Sequence, residues 1–236
     1  MSALACNAMA VSRAEDAKDP FVAAMVHDLR TPLSAIIGLA ATLEQGAFES
    51  DEVKDLAARI GTNARKLERM VNDLLDLDRL SRGIVRPKLW PTDIGYLVER
   101  VVEESELRSE RDITVTADDV MAEIDESKVE RIVQNLLTNA VRHTPDGARI
   151  WVSVRRDGDG VLILVDDEGP GVPADRREAI FDPFNKRADD GPGVGIGLTL
   201  VRRFAELHGG RAWVEPRAGG GASFRVRVPR RGRATA

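Results

Sequence analysis

Two successive runs of apolar residues, spaced alternately three and four apart, constrain this chain more than any other feature. Val22, Val26, Leu29, Leu33, Ile36, Ala40 and Leu43 make the first run. Their mean spacing of about 3.5 marks one continuous seam along a helix. Gln45-Gly46 ends it, and Val53, Leu56, Ile60, Asn63, Leu67, Met70, Leu74 and Leu77 make a second seam until Ser81, Gly83 and Pro87 break it. Two long helices joined by a short turn predict an antiparallel hairpin. Ala57, Ala64, Val71 and Leu75 widen the second stripe beyond what one neighbouring helix covers. The expectation is therefore a homodimer, two hairpins packed as a four-helix bundle. Asn63, polar within the seam, either fixes register or partner choice or lies at a solvated seam end; the spacing permits both.

Composition removes several alternatives. The chain has 236 residues, enough for two modest cores. Its 34 Lys+Arg against 39 Asp+Glu give a net charge of −5, so no basic field argues for nucleic acid. No run of 18 apolar residues reads as a membrane span. The single cysteine, Cys6, excludes an internal disulfide framework or multi-cysteine metal site, and His27, His143 and His208 form no HExxH pair. Residues 1–19 lack the basic start and apolar centre of a signal peptide and read as a disordered or helical lead-in. Residues 20–81 hold the hairpin, 82–91 read as a linker and 231–236 as a tail.

Residues 92–230 change character. Helical patterns at 93–108, 126–142 and 197–208 interleave with extended ones at Ile113–Thr116, Val120–Ile124, Ile150–Val154, Val161–Val165, Arg211–Val214 and Phe224–Val228. Half-buried strands alternating with helices predict a two-layer α/β sandwich. The chain as a whole is then α+β, a helical hairpin followed by that sandwich.

The chemistry-bearing residues cluster in both parts. His27 follows the seam residue Val26 and falls on the flank of its helix, with Thr31 four residues on along the same face and Asp28 adjacent. A neutral imidazole whose second nitrogen is held by an acid is a competent nucleophile; a lone solvated surface histidine is the plainer reading. Pro32 removes a backbone donor and should bend or loosen the helix there, at a cost of about 3 kcal/mol. In the second part Asn135 and Asn139 are four apart on one predicted helix and share a face, where two amide oxygens can help ligate a hard cation. Arg142 and His143 follow at its end, within reach of a polyphosphate. Asp167, in Asp166-Asp167-Glu168-Gly169-Pro170-Gly171, ends a predicted strand, and a fixed carboxylate there can accept the amino proton of adenine. Phe181 and Phe184 either anchor a segment or pack in the core. Gly191-Pro-Gly193-Val-Gly195-Ile-Gly197-Leu198 opens a helix whose N–H groups can face phosphate, or is merely a flexible loop. No GxxxxGK[ST] occurs, so a P-loop is excluded.

The segment Phe21-Val-Ala-Ala-Met-Val-His27-Asp28-Leu29-Arg30-Thr31-Pro32-Leu33 resembles the phospho-acceptor box of bacterial sensor histidine kinases. The four later blocks resemble, in order, that family's N box (Asn135 to Asn139), first glycine box (Asp167 to Gly171), F box (Phe181 to Phe184) and second glycine box (Gly193 to Gly197). His208-Gly209-Gly210 resembles a structural turn of the same family, and the likeness runs over about residues 20–230. It implies a Bergerat-type ATP site with Mg2+ held mainly by Asn139 and supported by Asn135. It also implies His27 as phospho-acceptor, Asp28 as the acid that orients and deprotonates it, and Thr31 as the residue that positions water for dephosphorylation. Residues 185–192 resemble a short ATP lid from which Lys186 or Arg187 reaches the phosphates. A response-regulator receiver domain is the implied partner. Two other readings compete. An ATP hydrolase or clamp related to type II topoisomerases would carry a Glu at the position of Asn135 to activate water, which an amide cannot do. A non-catalytic dimerisation scaffold requires the whole nucleotide set to be vestigial. A lead-in of 19 residues is too short for a sensor domain, and the expectation is a cytoplasmic kinase core, either part of a longer sensor that is soluble or membrane-anchored or one addressed by a separate sensor protein.

Overall fold

The structure, a computed structural model, describes residues 18–46, 48–109, 111–185 and 195–230, with the side chains of the first helix described from Met25 onward. It divides into two compact units between Leu75 and Asp76. The expectations for residues 1–17, for Lys186, Arg187 and Gly193, and for the 231–236 tail lie outside the described residues.

The first unit is helical. Helix α1 spans Lys18–Gln45 and α2 spans Ser50–Ser81, with residues 46–49 between them. Asp51 and Glu52 stand in the first turn of α2, where carboxylates favour the positive end of the helix dipole. Helix α1 runs unbroken through Pro32, whose ring is buried. Along the seams Leu29, Ile36, Ala40, Leu43, Leu56, Ile60, Leu67, Leu74 and Leu77 are half-buried and Met70 is buried. Val26 and Leu33 depart from the seam reading, at 42% and 46% exposed. Ile37, Val53, Val71 and Leu75 are exposed as well, and so are Ala57 and Ala64. A single copy therefore leaves much of both stripes open. Asn63 satisfies its amide within its own helix, donating to the Arg59 carbonyl at 2.9 Å.

The second unit is an α/β sandwich. After β1 (Trp90–Asp93) come α3 (Ile94–Glu104), β2 (Asp112–Ala117), β3 (Met121–Ile124), α4 (Glu126–His143), β4 (Arg149–Asp157), β5 (Gly160–Asp167), α5 (Gly197–Leu207), β6 (Arg211–Pro216) and β7 (Ala222–Pro229). The main sheet has the order β2-β4-β5-β7-β6. Strands β2 and β4 are parallel, so the chain must cross over between them, and α4 lies within that crossover. The remaining pairs are antiparallel. Trp90 and Pro91, expected in the linker, instead begin β1, which pairs with β3. Four residues without strict alternation were too short a signal to read.

One face of the sheet is the core. Ile113, Ile150, Val152, Val154, Ile163, Val165, Phe224, Val226 and Val228 are buried there, together with Leu97, Val101, Ile132, Leu136, Leu200 and Phe204 from the helices. Each such side chain contributes about 1.5–3 kcal/mol when fully buried, so a largely aliphatic core with a few phenylalanines such as Phe204 and Phe224 suffices. Asp125 caps α4 as its sequence position predicts.

Candidate functional site

On α1 the His27 ring stands in solvent, with 79% of its side chain exposed, while Asp28 is largely covered. Nδ1 of His27 lies 3.5 Å from Oδ1 of Asp28. The carboxylate therefore faces one ring nitrogen and leaves the other toward solvent. The Thr31 hydroxyl donates to the His27 carbonyl at 3.3 Å, one turn away on the same side. Pro32 offers no N–H, so the Asp28 carbonyl lacks its usual helix donor.

The second unit holds the other described residues on α4, at the end of β5 and at the start of α5. Asn135 and Asn139 are both half-buried on α4. The amide nitrogen of Asn135 is buried with no hydrogen-bond partner, an orphan that native structures seldom leave without a ligand or water. Gly197 opens α5 against this amide, so closely that a Cβ would stand 3.3 Å from the Asn135 Oδ1. Gly195 has φ +70° and accepts the Phe184 N–H at 3.2 Å; Phe184 itself has φ +64°. Such a backbone is costly for a bulky residue. Leu198 follows, half-buried. Phe181 is buried core, and Arg202 ties Asp182 to α5 at 2.7 Å.

Asp167 is 2% exposed at the end of β5. Its Oδ1 accepts the N–H of Gly169 at 2.8 Å and of Ala222 at 3.2 Å, leaving Oδ2 for another donor. Burial pushes this carboxyl above the usual aspartate range; the two N–H bonds and the His143 charge oppose that shift. Gly169 must be glycine, because a Cβ would meet the His143 carbonyl at 2.8 Å. The loop after β5 is thus pressed onto the end of α4, where Arg142 and His143 stand. Gly171 has φ +72° and lies against the carbonyl of Gly221.

Two family models match the chain: a His kinase A (phospho-acceptor) domain over residues 17–83, and a histidine kinase-, DNA gyrase B- and HSP90-like ATPase over residues 124–232. A solved mycobacterial sensor histidine kinase, MprB, is 30% identical, with a TM-score of 0.55 over 61% of this chain and 99% of that one. This chain belongs to the sensor histidine kinases. Another member, the adaptive-response sensory kinase SasA of Synechococcus sp. (strain JA-3-3Ab), is 34% identical over 91% of this chain and 60% of its own. The full-length kinase ShkA, solved in complex with AMPPNP, is 28% identical with a TM-score of 0.64, over 89% of this chain and 45% of that one. The chain spans from 24% to 60% of the length of the first curated kinases it matches. Among the described residues no helix is long and apolar enough to cross a membrane.

Within the second unit the described parts of these blocks touch one another, Gly197 on Asn135, Gly169 on His143 and Phe184 on Gly195, but what supports them was not legible. Gly221 and Ala222, on the β6–β7 turn, lie 54 and 55 residues from Asp167 in sequence and touch it in space. The run Gly219-Gly220-Gly221 was the available signal. Arg111 was also missed: it donates to the carbonyls of Pro145 at 2.8 Å and Val141 at 3.4 Å, fastening the C-terminal end of α4.

Proposed function

We propose that this chain is the catalytic core of an ATP-dependent protein-histidine kinase. ATP binds the second unit, the base against Asp167, whose free Oδ2 accepts the adenine amino group. Guanine presents a carbonyl there and is refused. The phosphates lie toward the N-terminus of α5, whose N–H groups favour anions, and toward Arg142 and His143, with Lys186 or Arg187 contributed by a segment outside the described residues. The orphan Asn135 amide nitrogen is a donor that fits a phosphate oxygen, and the amide oxygens of Asn135 and Asn139 fit Mg2+. Among the described residues no cluster of three His, Cys, Asp or Glu is present to hold a metal, so the amide oxygens, water and phosphate would complete the shell. Bound Mg2+ would neutralise charge on the phosphates.

In the reaction Asp28 holds the Nδ1 proton, which leaves the lone pair on the exposed Nε2 of His27. Nε2 attacks the γ-phosphorus, the bond to the bridging oxygen breaks, and ADP leaves. The phosphoryl group then passes to an aspartate of a response-regulator receiver domain. Thr31, hydroxyl beside the His27 backbone, positions water for the reverse, phosphatase activity. The exposed apolar residues of α1 and α2 pair two copies into the four-helix bundle of a homodimer. The core works in the cytoplasm, where ATP is present, and takes its input from a sensor domain or protein.

The observation that carries this reading is one chain holding an exposed, acid-paired histidine and, in its second unit, a buried aspartate held by two backbone N–H groups and an unsatisfied Asn amide. Incubation with ATP labelled at the γ-phosphate and Mg2+ tests it. An acid-labile, alkali-stable phosphoprotein that passes its label to a receiver domain is expected. Release of free phosphate with no labelled protein would favour the ATP-hydrolase reading instead.

A further inference from the structure

The solvent side of the main sheet carries a circuit of contacts that begins and ends at Asp167. Glu168, the next residue, is gripped twice by Arg149: the backbone N–H reaches Oε2 at 3.0 Å and Nη2 reaches Oε1 at 2.9 Å. The Arg149 guanidinium lies 5.2 Å from the centre of the Trp151 ring, and the Arg217 guanidinium lies 4.0 Å from the same ring. Arg217 in turn organises the glycine turn. Its Nη1 donates to the Gly220 carbonyl at 2.9 Å, its N–H donates to the Gly221 carbonyl at 3.2 Å, and its own carbonyl accepts the Gly220 N–H at 3.1 Å. Gly221 presses on the Asp167 carbonyl, where a Cβ would stand at 1.8 Å, and Ala222 donates to the Asp167 carboxylate.

Taken singly, exposed pairs such as Arg149 with Glu168 contribute little. Here one aromatic ring joins two arginines, one holding Glu168, the residue after Asp167, the other holding the turn whose Ala222 N–H reaches the Asp167 carboxylate. We propose that Arg149, Trp151 and Arg217 form a positioning strap that fixes the Asp167 carboxylate for adenine, so that base selectivity depends on side chains that do not touch the nucleotide. The proposal rests on the reading of Asp167 as the adenine acceptor. A strap that loosens lets the acceptor wander, which weakens adenine nucleotides and leaves guanine nucleotides, which gain nothing from Asp167, as weak as before.

Calorimetric titration of the whole chain with ADP and with GDP tests this in the wild type, Arg217→Ala, Trp151→Leu and Arg155→Ala. Arg155 is exposed on β4 outside the circuit. The preference for ADP over GDP is expected to fall about threefold to thirtyfold in Arg217→Ala and Trp151→Leu, the scale of a lost cation–π contact. The change should lie in ADP affinity alone, and Arg155→Ala should match the wild type. Arg217→Lys, which keeps the cation without the fork to Gly220, takes the place of the alanine variant if that one does not fold. Wild-type selectivity in the strap variants overturns the strap. Equal losses for ADP and GDP also overturn it, because a merely structural role weakens both. A wild type with no ADP preference overturns the Asp167 reading itself, and the strap with it.

Discussion

Gly220 and Gly221 form a matched pair for measuring how closely the β6–β7 turn must approach Asp167. Both have strongly positive φ, +100° and +97°. Alanine at either position incurs the left-handed backbone penalty, about 1–2 kcal/mol. A Cβ at Gly220 meets nothing within 4 Å, whereas one at Gly221 stands 1.8 Å from the Asp167 carbonyl oxygen and 2.8 Å from its carbon. No side chain can yield there, because both atoms are backbone. Turn and strand must part by about 1 Å, and the Ala222 N–H is drawn off the buried carboxylate, adding about 1–3 kcal/mol for an unsatisfied group. Gly221→Ala should therefore cost about 2–5 kcal/mol in urea unfolding, against about 1–2 kcal/mol for Gly220→Ala. A displacement of about 1 Å at a recognition group costs on the order of 100-fold, so ADP affinity should drop by that much in Gly221→Ala. Gly220→Ala should bind ADP within about threefold of the wild type, since its strain is not passed to Asp167. Equal stability and equal ADP affinity in the two variants would refute the close-approach argument.

Other consequences follow from the same geometry. His208 is buried and neutral: Nδ1–H donates to the Phe204 carbonyl at 2.7 Å and Nε2 accepts the Asp125 N–H at 2.9 Å. Burial lowers its pKa, against the opposing Phe204 carbonyl and Asp125 charge. The unfolded chain then binds the extra proton first, so this contribution to stability is full above about pH 6.5 and declines below it by up to about 1.4 kcal/mol per pH unit. His208→Gln should flatten the acid limb of an unfolding-against-pH curve; an unchanged limb would count against the assignment. Asp167, with its pKa raised by burial, should make ADP binding weaken on acidification sooner than an ordinary aspartate would, and Asp167→Asn should remove that dependence in calorimetry. Asn139→Ala should abolish autophosphorylation while the chain keeps its melting temperature, whereas labelling at the wild-type rate would remove Asn139 from the metal site. Thr31→Ala should retain autophosphorylation and lose dephosphorylation of a phosphorylated receiver domain, measured as the decay of its label.

Much of this architecture was legible because the signals were local. A period near 3.5 ended by Gly46 gave α1 and α2, and the alternation in Ile150–Val154 and Phe224–Val228 gave strands of the sheet. The core helices followed in the same way, with Asp125 at the cap of α4. The candidate site was proposed from blocks that each hold their chemistry within a few residues, His27 to Thr31, Asn135 to Asn139 and Asp167 to Gly171. What escaped was non-local or depended on a second copy. Val26 and Leu33 obey the seam period yet lie exposed, because period locates a stripe without saying which helix covers it. Strand β1 was too short to alternate. The turn at Gly219–Gly221 and the arginines at 111, 149 and 217 act on residues distant in sequence, which no local pattern reports.

Whether a nucleotide bound in the second unit phosphorylates His27 decides between a kinase and the alternatives. His27→Gln tests it most directly, because an exposed side chain can be exchanged without disturbing the core. The variant should bind ADP in calorimetry with wild-type affinity and take up no acid-labile label from ATP labelled at the γ-phosphate. Undiminished acid-labile labelling of the variant would show that His27 is not the phospho-acceptor.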